Sequence, residues 1–344
     1  MICFAWSGFP QYAARCIGAF VERTKKECFV VATRPSVPVK GMEELCHCPV
    51  RWIERDDVPE VVRLLGKMPE CVVVSGWGVR AFNCLCGQVQ LAGRPIYAMV
   101  DNNYMASFRE VLKMVRFRLF IRRKYAGFLV PGNSGVRLLR FYGVPKGKIF
   151  KGMYAADSSL FHDGLPLPQR EKKLLFVGQL CERKNILQLV RVFLSVPISC
   201  RVGWTLEICG CGPLKELIPS NPAVAVHDFV QPEDLAPLYR SARIFCLPSK
   251  EEHWGLVVHE AALSGCVLLL SRQVGAAWDF LGEKNGRMFD AYDEAGMKQS
   301  LLDCLAFSDR ELQLAELESL RLANSASVEG FVEGCLRMMK NRVS

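Results

Sequence analysis

Residues 248–266 read PSKEEHWGLVVHEAALSGC. Two acids, Glu251 and Glu252, precede an apolar segment, and one more acid, Glu260, sits inside it. The residues just upstream, RIFCLPS, form the short apolar run of a buried strand. Gly255 to Ser264 then follow helical spacing. This predicts Trp254, Val257, Val258, Ala261 and Ala262 toward a core and Gly265 just past the helix end. A carboxylate in a core-bound helix is costly unless something pairs with it. Helical side chains lean toward the N-terminus, so Glu260 can point back toward the loop that carries Glu252. Two carboxylates then flank a helix start. The helix amides suit a phosphate, and the carboxylates suit the hydroxyls of a sugar. A polyol joined to a phosphate is a nucleotide sugar. The competing reading is that Glu252 caps the helix and Glu260 pairs with a basic residue elsewhere.

Outward from this stretch, short apolar runs alternate with helix-period segments. ICFAW, CFVVA, CVVVSG, PIYAMV and GFLVPG read as buried strands in the first half, and KLLFVG, TLEICG, RIFCLPS and CVLLLS in the second. Segments such as QYAARCIGAFVERTK, NILQLVRVFLS and EDLAPLYRSA read as the helices between them. The alternation predicts an α/β protein with parallel sheets covered by helices on both faces. A length of 344 residues suits about two domains. HDGLPLPQREKK, residues 162–173, reads as the linker, giving domains at 1–165 and 171–325. Residues 326–344 hold a further helix, ASVEGFVEGCLRMMK, which packs on either domain.

Half of the residues are hydrophobic and 23% are charged, enough to bury sizeable cores. No apolar run reaches the roughly 18–20 residues of a bilayer span. The opening MICFAWSGFP lacks the basic start and apolar middle of a secretory signal. The expectation is a chain that enters its first domain directly and stays in the cytoplasm. Sixteen cysteines show no repeated metal-ligand spacing, and Cys46-His47-Cys48 has no matching second pair. They read as small buried hydrophobes in a reducing compartment, with no metal site expected. Residues 1–170 carry 25 Lys and Arg against 13 Asp and Glu, and residues 171–344 carry 19 against 22. The formal charge is therefore +12 in one half and −3 in the other, which points the first half at an anionic partner.

Two glycine-bearing turns add to the site. LLFVGQLCERKNILQLVRVF, residues 174–193, reads as strand, glycine turn, basic loop and helix. Lys184, just ahead of that helix, would add a full charge to a helix start and make a phosphate clamp. The alternative is an ordinary surface loop with solvated Arg183 and Lys184. In LEICGCGPLKEL, Gly210 and Gly212 either let a backbone approach a ligand or simply form a tight strand-to-helix turn.

At this point a family resemblance is legible. Glu252-His253-Trp254-Gly255 through Glu260 resembles the E-x-[FW]-G-x-x-x-x-E signature of the GT4 glycosyltransferases, retaining enzymes of the GT-B fold. FVGQLCERKN is similar to their V-G-R-L-x-x-x-K-[GN] segment. ICGCGPLKEL, VHDFVQPEDLAPLYRSARIFCLPS and SRQVGAAWDFLGEKNGRMF follow in the family's order. In the first half only YGVPKGKIFKGMYAADSSLF is similar, to the P-N-G-V-D-x-x-x-F segment. The resemblance implies two Rossmann-like domains whose parallel sheets face an interdomain cleft, with the acceptor on the N-terminal domain and the donor on the C-terminal one. It implies that Glu260 holds the ribose hydroxyls and that Glu252 contacts the donor sugar. The amides of Gly255 and Leu256 would meet the sugar and diphosphate, and Lys184 would neutralise the leaving diphosphate. Gly178, Gln179, Arg183, Gly210, Val230, His253 and Trp254 would line the same donor site. No metal or cofactor is implied.

Three positions depart from the family. Gln179 stands where an arginine is usual, and Arg183 is the candidate replacement. YAMVDNNY has Asp101 and Asn102 where many members carry a histidine. The loop AWSGFPQ has one glycine, Gly8, where two are common. Gly8, Asp101 and Asn102 are the acceptor-side candidates.

FREVLKMVRFRLFIRRKYAG, residues 108–127, holds seven cations against one acid, with Val, Leu, Met, Phe and Ile between them. Residues 109–124 thus suit an anionic membrane surface, and the alternative is a domain helix with a solvated basic face. No nucleic-acid module accompanies the patch, so no nucleic-acid partner is expected. The expected function is a retaining glycosyltransferase that moves a sugar from a nucleotide sugar to a saccharide or lipid-linked acceptor. Its setting would be bacterial-type cell-surface polysaccharide or lipopolysaccharide assembly, peripheral on the inner face of the cytoplasmic membrane. The alternative is a non-catalytic GT-B scaffold that binds a nucleotide sugar or glycan without turnover. A dinucleotide oxidoreductase would want G-x-G-x-x-G after the first strand, and WSGFPQYAA lacks it.

Overall fold

A computed structural model describes residues 1–35, 40–54, 56–63, 68–104 and 108–341. The chain divides into two units, Met1–Ala155 with Ala326–Ser344, and Ala156–Ser325. The first unit holds strands β1 (Ile2–Trp6), β2 (Cys28–Ala32), β3 (Val50–Trp52), β4 (Cys71–Ser75), β5 (Ile96–Met99), β6 (Gly127–Val130) and β7 (Ile149–Lys151). Its helices are α1 (Gln11–Thr24), α2 (Met42–Leu45), α3 (Val58–Arg63), α4 (Arg80–Leu91), α5 (Phe108–Arg116) and α6 (Asn133–Phe141). The second unit holds β8 (Glu171–Val177), β9 (Thr205–Cys209), β10 (Val224–His227), β11 (Ala242–Leu247), β12 (Val267–Ser271) and β13 (Gly286–Phe289). Helices α7 (Ile186–Ser195), α8 (Pro232–Ser241), α9 (Leu256–Leu263), α10 (Ala277–Phe280), α11 (Glu294–Leu305) and α12 (Asp309–Ala323) accompany them. The last helix, α13 (Val328–Lys340), belongs to the first unit.

The sheet orders are β3-β2-β1-β4-β5-β6-β7 and β10-β9-β8-β11-β12-β13. Every pairing is parallel. Central strands such as β1, β12 and β6 are buried along their whole length, which is why they are near-continuous runs of apolar residues. Each sheet runs outward in one direction, then returns to pair on the other side of its first strand, between β1 and β4 and between β8 and β11. These are two Rossmann-like α/β units, as the strand–helix alternation predicts. The strands that lack a clear apolar run in the sequence are β3, β7, β10 and β13, and they are the four sheet edges. An edge strand packs on fewer neighbours, so its composition need not be apolar.

The division between the units falls between Ala155 and Ala156, which corrects the linker placed at 162–173. The glycine and prolines of that stretch do not mark a free connection. Leu167 is buried, and the Arg170 guanidinium reaches the carbonyls of Leu165 at 2.6 Å and Ser264 at 2.7 Å and pairs with Glu316 at 2.8 Å. A buried guanidinium must have such partners, so residues 165–170 are held to the second unit.

Eleven of the sixteen cysteines are buried. Among the described residues no three His, Cys, Asp or Glu side chains gather as a metal site. Cys46 and Cys48 lie with their sulfurs 3.7 Å apart, and the His47 ring between them turns to Glu22 at 2.8 Å.

Helix α13 is seated by a close backbone approach. A Cβ at Gly334 would lie 2.5 Å from the Lys151 carbonyl oxygen, so only glycine lets the helix reach β7. Phe331 packs on Phe4 with ring centroids 6.3 Å apart, and Asn341 donates to the Gly147 carbonyl at 2.6 Å. Gly334→Leu should therefore overpack this contact and cost about 1–3 kcal/mol. Urea denaturation followed by circular dichroism measures it, and an unchanged midpoint would contradict the seating described.

Candidate functional site

In an open parallel sheet, ligands bind beyond the strand carboxyl ends where the strand order reverses. In the second unit that point lies between β8 and β11. The loops leaving these two strands carry Gly178 to Lys184 and Pro248 to Trp254. They are tied together: the Lys250 N–H donates to the Arg183 carbonyl at 2.8 Å, and an Arg183 N–H donates to the Glu251 carbonyl at 2.8 Å.

Lys184 and Glu252 form an ion pair across the two loops. Their side chains are 9% and 12% exposed, so the pair is largely out of water and each charge depends on the other. A further Arg183 N–H lies 3.4 Å from the same Glu252 oxygen, and the Ser249 hydroxyl also lies 3.4 Å from it. An added Cβ at Gly178 would lie 3.7 Å from the Lys184 ammonium, which places that charge directly beside the end of β8. The loop after β12 holds Glu252 from the other side. Glu252 N–H donates to Gln273 O at 3.3 Å, and Gly275 N–H donates to Glu252 O at 3.2 Å.

Gly255 then turns the chain into α9 with φ of +89°, in the left-handed region that favours glycine. A Cβ there would also come within 3.1 Å of the Glu252 Cγ. Glu260 lies on the second turn of α9, and its carboxylate accepts a hydrogen bond from the Tyr239 hydroxyl at 2.9 Å. Part of the residue stays open, but protein surrounds the carboxyl itself. Burial pushes this carboxyl from 4.5 up to about 7, against the smaller lowering effect of Tyr239. Tyr239 is itself pushed well up by burial and by the Glu260 charge. Two acids of one helix-and-loop element are thus held in contrasting ways, Glu252 by cations and Glu260 by a neutral phenol.

The neighbouring His259 keeps α9 in place. Its Nδ1 accepts from the Ala156 N–H at 3.0 Å, its Nε2 donates to the Ala323 carbonyl at 2.9 Å, and its ring stacks on Phe280 at 4.5 Å. This set requires the neutral ring, and burial pulls it from 6.5 down to about 4.

The structure gathers Gly178, Arg183, Lys184, Glu252, Gly255 and Leu256 around this reversal point, with Glu260 on the same helix. His253 and Gln179 are exposed at its rim. Gly210 follows β9, where a Cβ would lie 1.9 Å from the Gly178 carbonyl oxygen, so this glycine is needed for loop-to-loop contact. Val230 follows β10, two strands from β8 and so about 10 Å along the sheet. The Trp254 ring is a correction to its reading as a donor contact. It is 2% exposed and packs edge-on against Phe280, which leaves only its backbone for a ligand. Sequence reasoning missed Tyr239 and Ser249. Ser249 was in view beside Glu252, but Tyr239 lies 21 residues before Glu260 on another helix and only packing brings it close.

The first unit has its own reversal, between β1 and β4. Gly8 follows β1, and its N–H donates to the Thr33 hydroxyl at 2.8 Å. Asp101 follows β5 and lies 3.5 Å from the Tyr154 hydroxyl, and Asn102 beside it is exposed.

Residues 171–306, which include all of this second site, match the model of the family Glycosyl transferases group 1. Over those residues, about two-fifths of the chain, the sequence is similar to that family. A D-inositol 3-phosphate glycosyltransferase of Corynebacterium kroppenstedtii is 34% identical over 85 residues, 25% of this chain and 19% of that one. The curated relatives that match do so over 19% to 39% of their own length. Among solved structures, Anabaena Alr3699/HepE in complex with UDP and glucose superposes with a TM-score of 0.77, covering 98% of this chain and 99% of that one at 13% identity. Sucrose-phosphate synthase of Thermosynechococcus elongatus superposes with a TM-score of 0.75, covering 99% and 98% at 14% identity. At such identities the likeness is one of fold, and the fold is GT-B.

The Glu260 and His259 shifts act on stability with opposite signs. The folded chain holds the Glu260 proton more tightly than the unfolded chain, so this group lowers stability as pH rises from about 4.5 to about 7, by up to about 3 kcal/mol. The neutral His259 lowers stability as pH falls from about 6.5 to about 4. Glu260→Gln should therefore raise the Tm of the free protein at pH 8, leave it unchanged near pH 4.5, and steepen the loss between pH 6.5 and pH 4. Calorimetry across that range is the check, and a lower Tm at pH 8 would contradict the burial assigned to Glu260.

Proposed function

We propose that this chain is a retaining glycosyltransferase that takes a sugar from a nucleotide sugar and passes it to a saccharide or lipid-linked acceptor. The observation that carries the reading is the buried Lys184–Glu252 pair at the β8/β11 reversal, with Glu260 on the helix that starts there. The UDP, UDP-glucose and UDP-with-glucose complexes of Anabaena Alr3699/HepE, a protein of the same fold, support a nucleotide-sugar donor. A named glycosyltransferase relative supports transfer as the reaction class.

In this reading Glu260 accepts hydrogen bonds from the ribose diol, which would favour its ionised form and offset the burial that raises it in the free protein. The amides of Gly255 and Leu256 face the sugar and diphosphate at the head of α9. The bond from the anomeric carbon to the diphosphate oxygen breaks, and its electron pair leaves with the diphosphate. Lys184 stabilises the charge that grows there, and Arg183, already beside Glu252, adds the second cation that Gln179 does not supply. Glu252 holds Lys184 in place before the donor arrives, and then contacts the sugar. The acceptor hydroxyl attacks the same face and gives its proton to the departing phosphate, so the configuration is retained without an enzyme nucleophile. No metal or cofactor takes part. Gly8, Asp101 and Asn102 serve the acceptor.

The exposed apolar and basic residues of α5 support a peripheral place on an anionic membrane, and the setting we propose is the cytoplasmic side, in bacterial-type cell-surface polysaccharide or lipopolysaccharide assembly. Among the described residues no helix is long and apolar enough to cross a membrane.

A thermal-shift series with UDP, GDP, ADP and CMP and their sugars tests the donor. One nucleotide should raise Tm, and Glu260→Ala should abolish the rise. No rise with any of them would remove the donor assignment. With the donor known, Glu260→Ala should raise the donor KM roughly 10- to 100-fold, the worth of a charged hydrogen bond. Glu252→Ala and Lys184→Ala should lower kcat instead, and Arg183→Ala should lower it less. Wild-type kinetics in all of them would overturn the mechanism, and donor binding without donor hydrolysis or transfer would favour the non-catalytic scaffold.

A further inference from the structure

The basic stretch of the first unit is less uniform than its composition. Arg118 donates to the Tyr142 and Phe141 carbonyls at 3.2 and 3.1 Å, and Arg122 to the Gly143 carbonyl at 2.9 Å. These two guanidinia cap the end of α6 and are not free for a partner. Glu110 is buried between Lys113 and the Tyr142 hydroxyl. The side chain of Arg109 lies outside the described residues. Among the described residues of this stretch, Arg116, Arg123 and Lys124 are exposed and take no part in these contacts.

What accompanies them is apolar and exposed. Leu112, Val115, Leu119 and Phe120 are 57%, 46%, 68% and 64% exposed and follow helical spacing along α5 and the turn after it. Beside this stripe a recess of about 510 Å³ runs between α4 and residues 116–125. Trp77, Ile96, Phe120, Ile121 and Tyr125 line it together with the polar Asn83 and Gln90 and the cations Arg116 and Lys124. It shares Gln90, Ile96, Lys124 and Tyr125 with a second recess of about 690 Å³ at the amino edge of the sheet, where Arg94, Arg123 and Lys148 lie. The one acid there, Glu70, is paired with the chain's terminal ammonium at 2.6 Å. Both volumes fall within the range of small-molecule sites.

We propose that this trough takes one acyl chain of an anionic phospholipid, with the lipid phosphate held by Arg116 and Lys124. The stripe Leu112, Val115, Leu119 and Phe120 enters the surrounding headgroup layer. A free phosphate would explain the cations but not the exposed apolar stripe, and a nucleic acid would explain neither the stripe nor the apolar part of the recess. An anionic amphiphile explains all three. The site is separate from the β8/β11 reversal. It rests on the membrane-surface reading above but not on the transfer chemistry.

Gly87 gives a selective test. It lies in α4 on the floor of the trough, and an added Cβ there meets nothing within 4 Å. Gly87→Leu should fill the trough, keep every charge and the stripe, and favour the helix. Flotation of the full chain with vesicles of phosphatidylcholine, alone or with about one-third phosphatidylglycerol, is the measurement. Binding should need phosphatidylglycerol and weaken about tenfold in Gly87→Leu, in the double variant Leu119→Ser/Phe120→Ser, and in Arg116→Gln/Lys124→Gln. Wild-type binding in Gly87→Leu, with loss in the other two, would overturn the trough and leave only a surface contact. Unchanged binding in the serine variant, or none by the wild type, would overturn the proposal as a whole. The nucleotide thermal shift should persist in every variant. Its failure in the wild type would count against the transferase reading alone.

Discussion

A parallel sheet places all its strand carboxyl ends along one edge, and a right-handed crossover after each strand puts a helix start near that edge. Every strand of the second unit is paired in parallel with its neighbours. Where the order reverses between β8 and β11, two outgoing loops diverge and leave a gap that no crossover covers. Lys184 comes from one loop and Glu252 from the other, and their pairing closes the base of that gap. The site is therefore a consequence of the winding of the sheet, and the side chains give it its chemistry.

That chemistry depends on how each carboxylate is neutralised. Glu252 is surrounded by donors and cations: Lys184, Arg183 and Ser249. Glu260 has a phenol and much protein mass, and its carboxyl is pushed up to about 7. A buried acid left so is a cost to the free protein, one that a ribose diol can offset. His259, one residue earlier on the same helix, points to Ala156 and Ala323 near the two ends of the unit and is held neutral. Adjacent positions on α9 thus meet different surroundings, a phenol for Glu260 and backbone groups for His259, because neighbours on a helix point about 100° apart.

The basic region of the first unit illustrates how tertiary contacts subdivide a charge run. Read as a string, residues 109–124 are one patch. In the fold, Arg118 and Arg122 turn inward to the end of α6, while Arg116, Arg123 and Lys124 stay outward beside exposed Leu119 and Phe120. Long cationic side chains can serve either purpose, since the stem packs while the head seeks carbonyls or water.

The sequence by itself determined the α/β class, the nine central strands and the pair Glu252 and Glu260, because these depend on local physics. A strand buried on both faces must be an apolar run, and a helix start after it must carry its ligands within a few residues. The sequence did not disclose β3, β7, β10 and β13, since an edge strand can be short and half-exposed and still pair on one side. It misplaced the boundary, because glycine and proline mark a change of direction and not a change of unit, and buried Arg170 ties that stretch to the second unit. It could not reveal that Tyr239 holds Glu260, or that Gly210 serves the contact with Gly178. Those facts depend on which distant segments meet, and only the tertiary structure decides that.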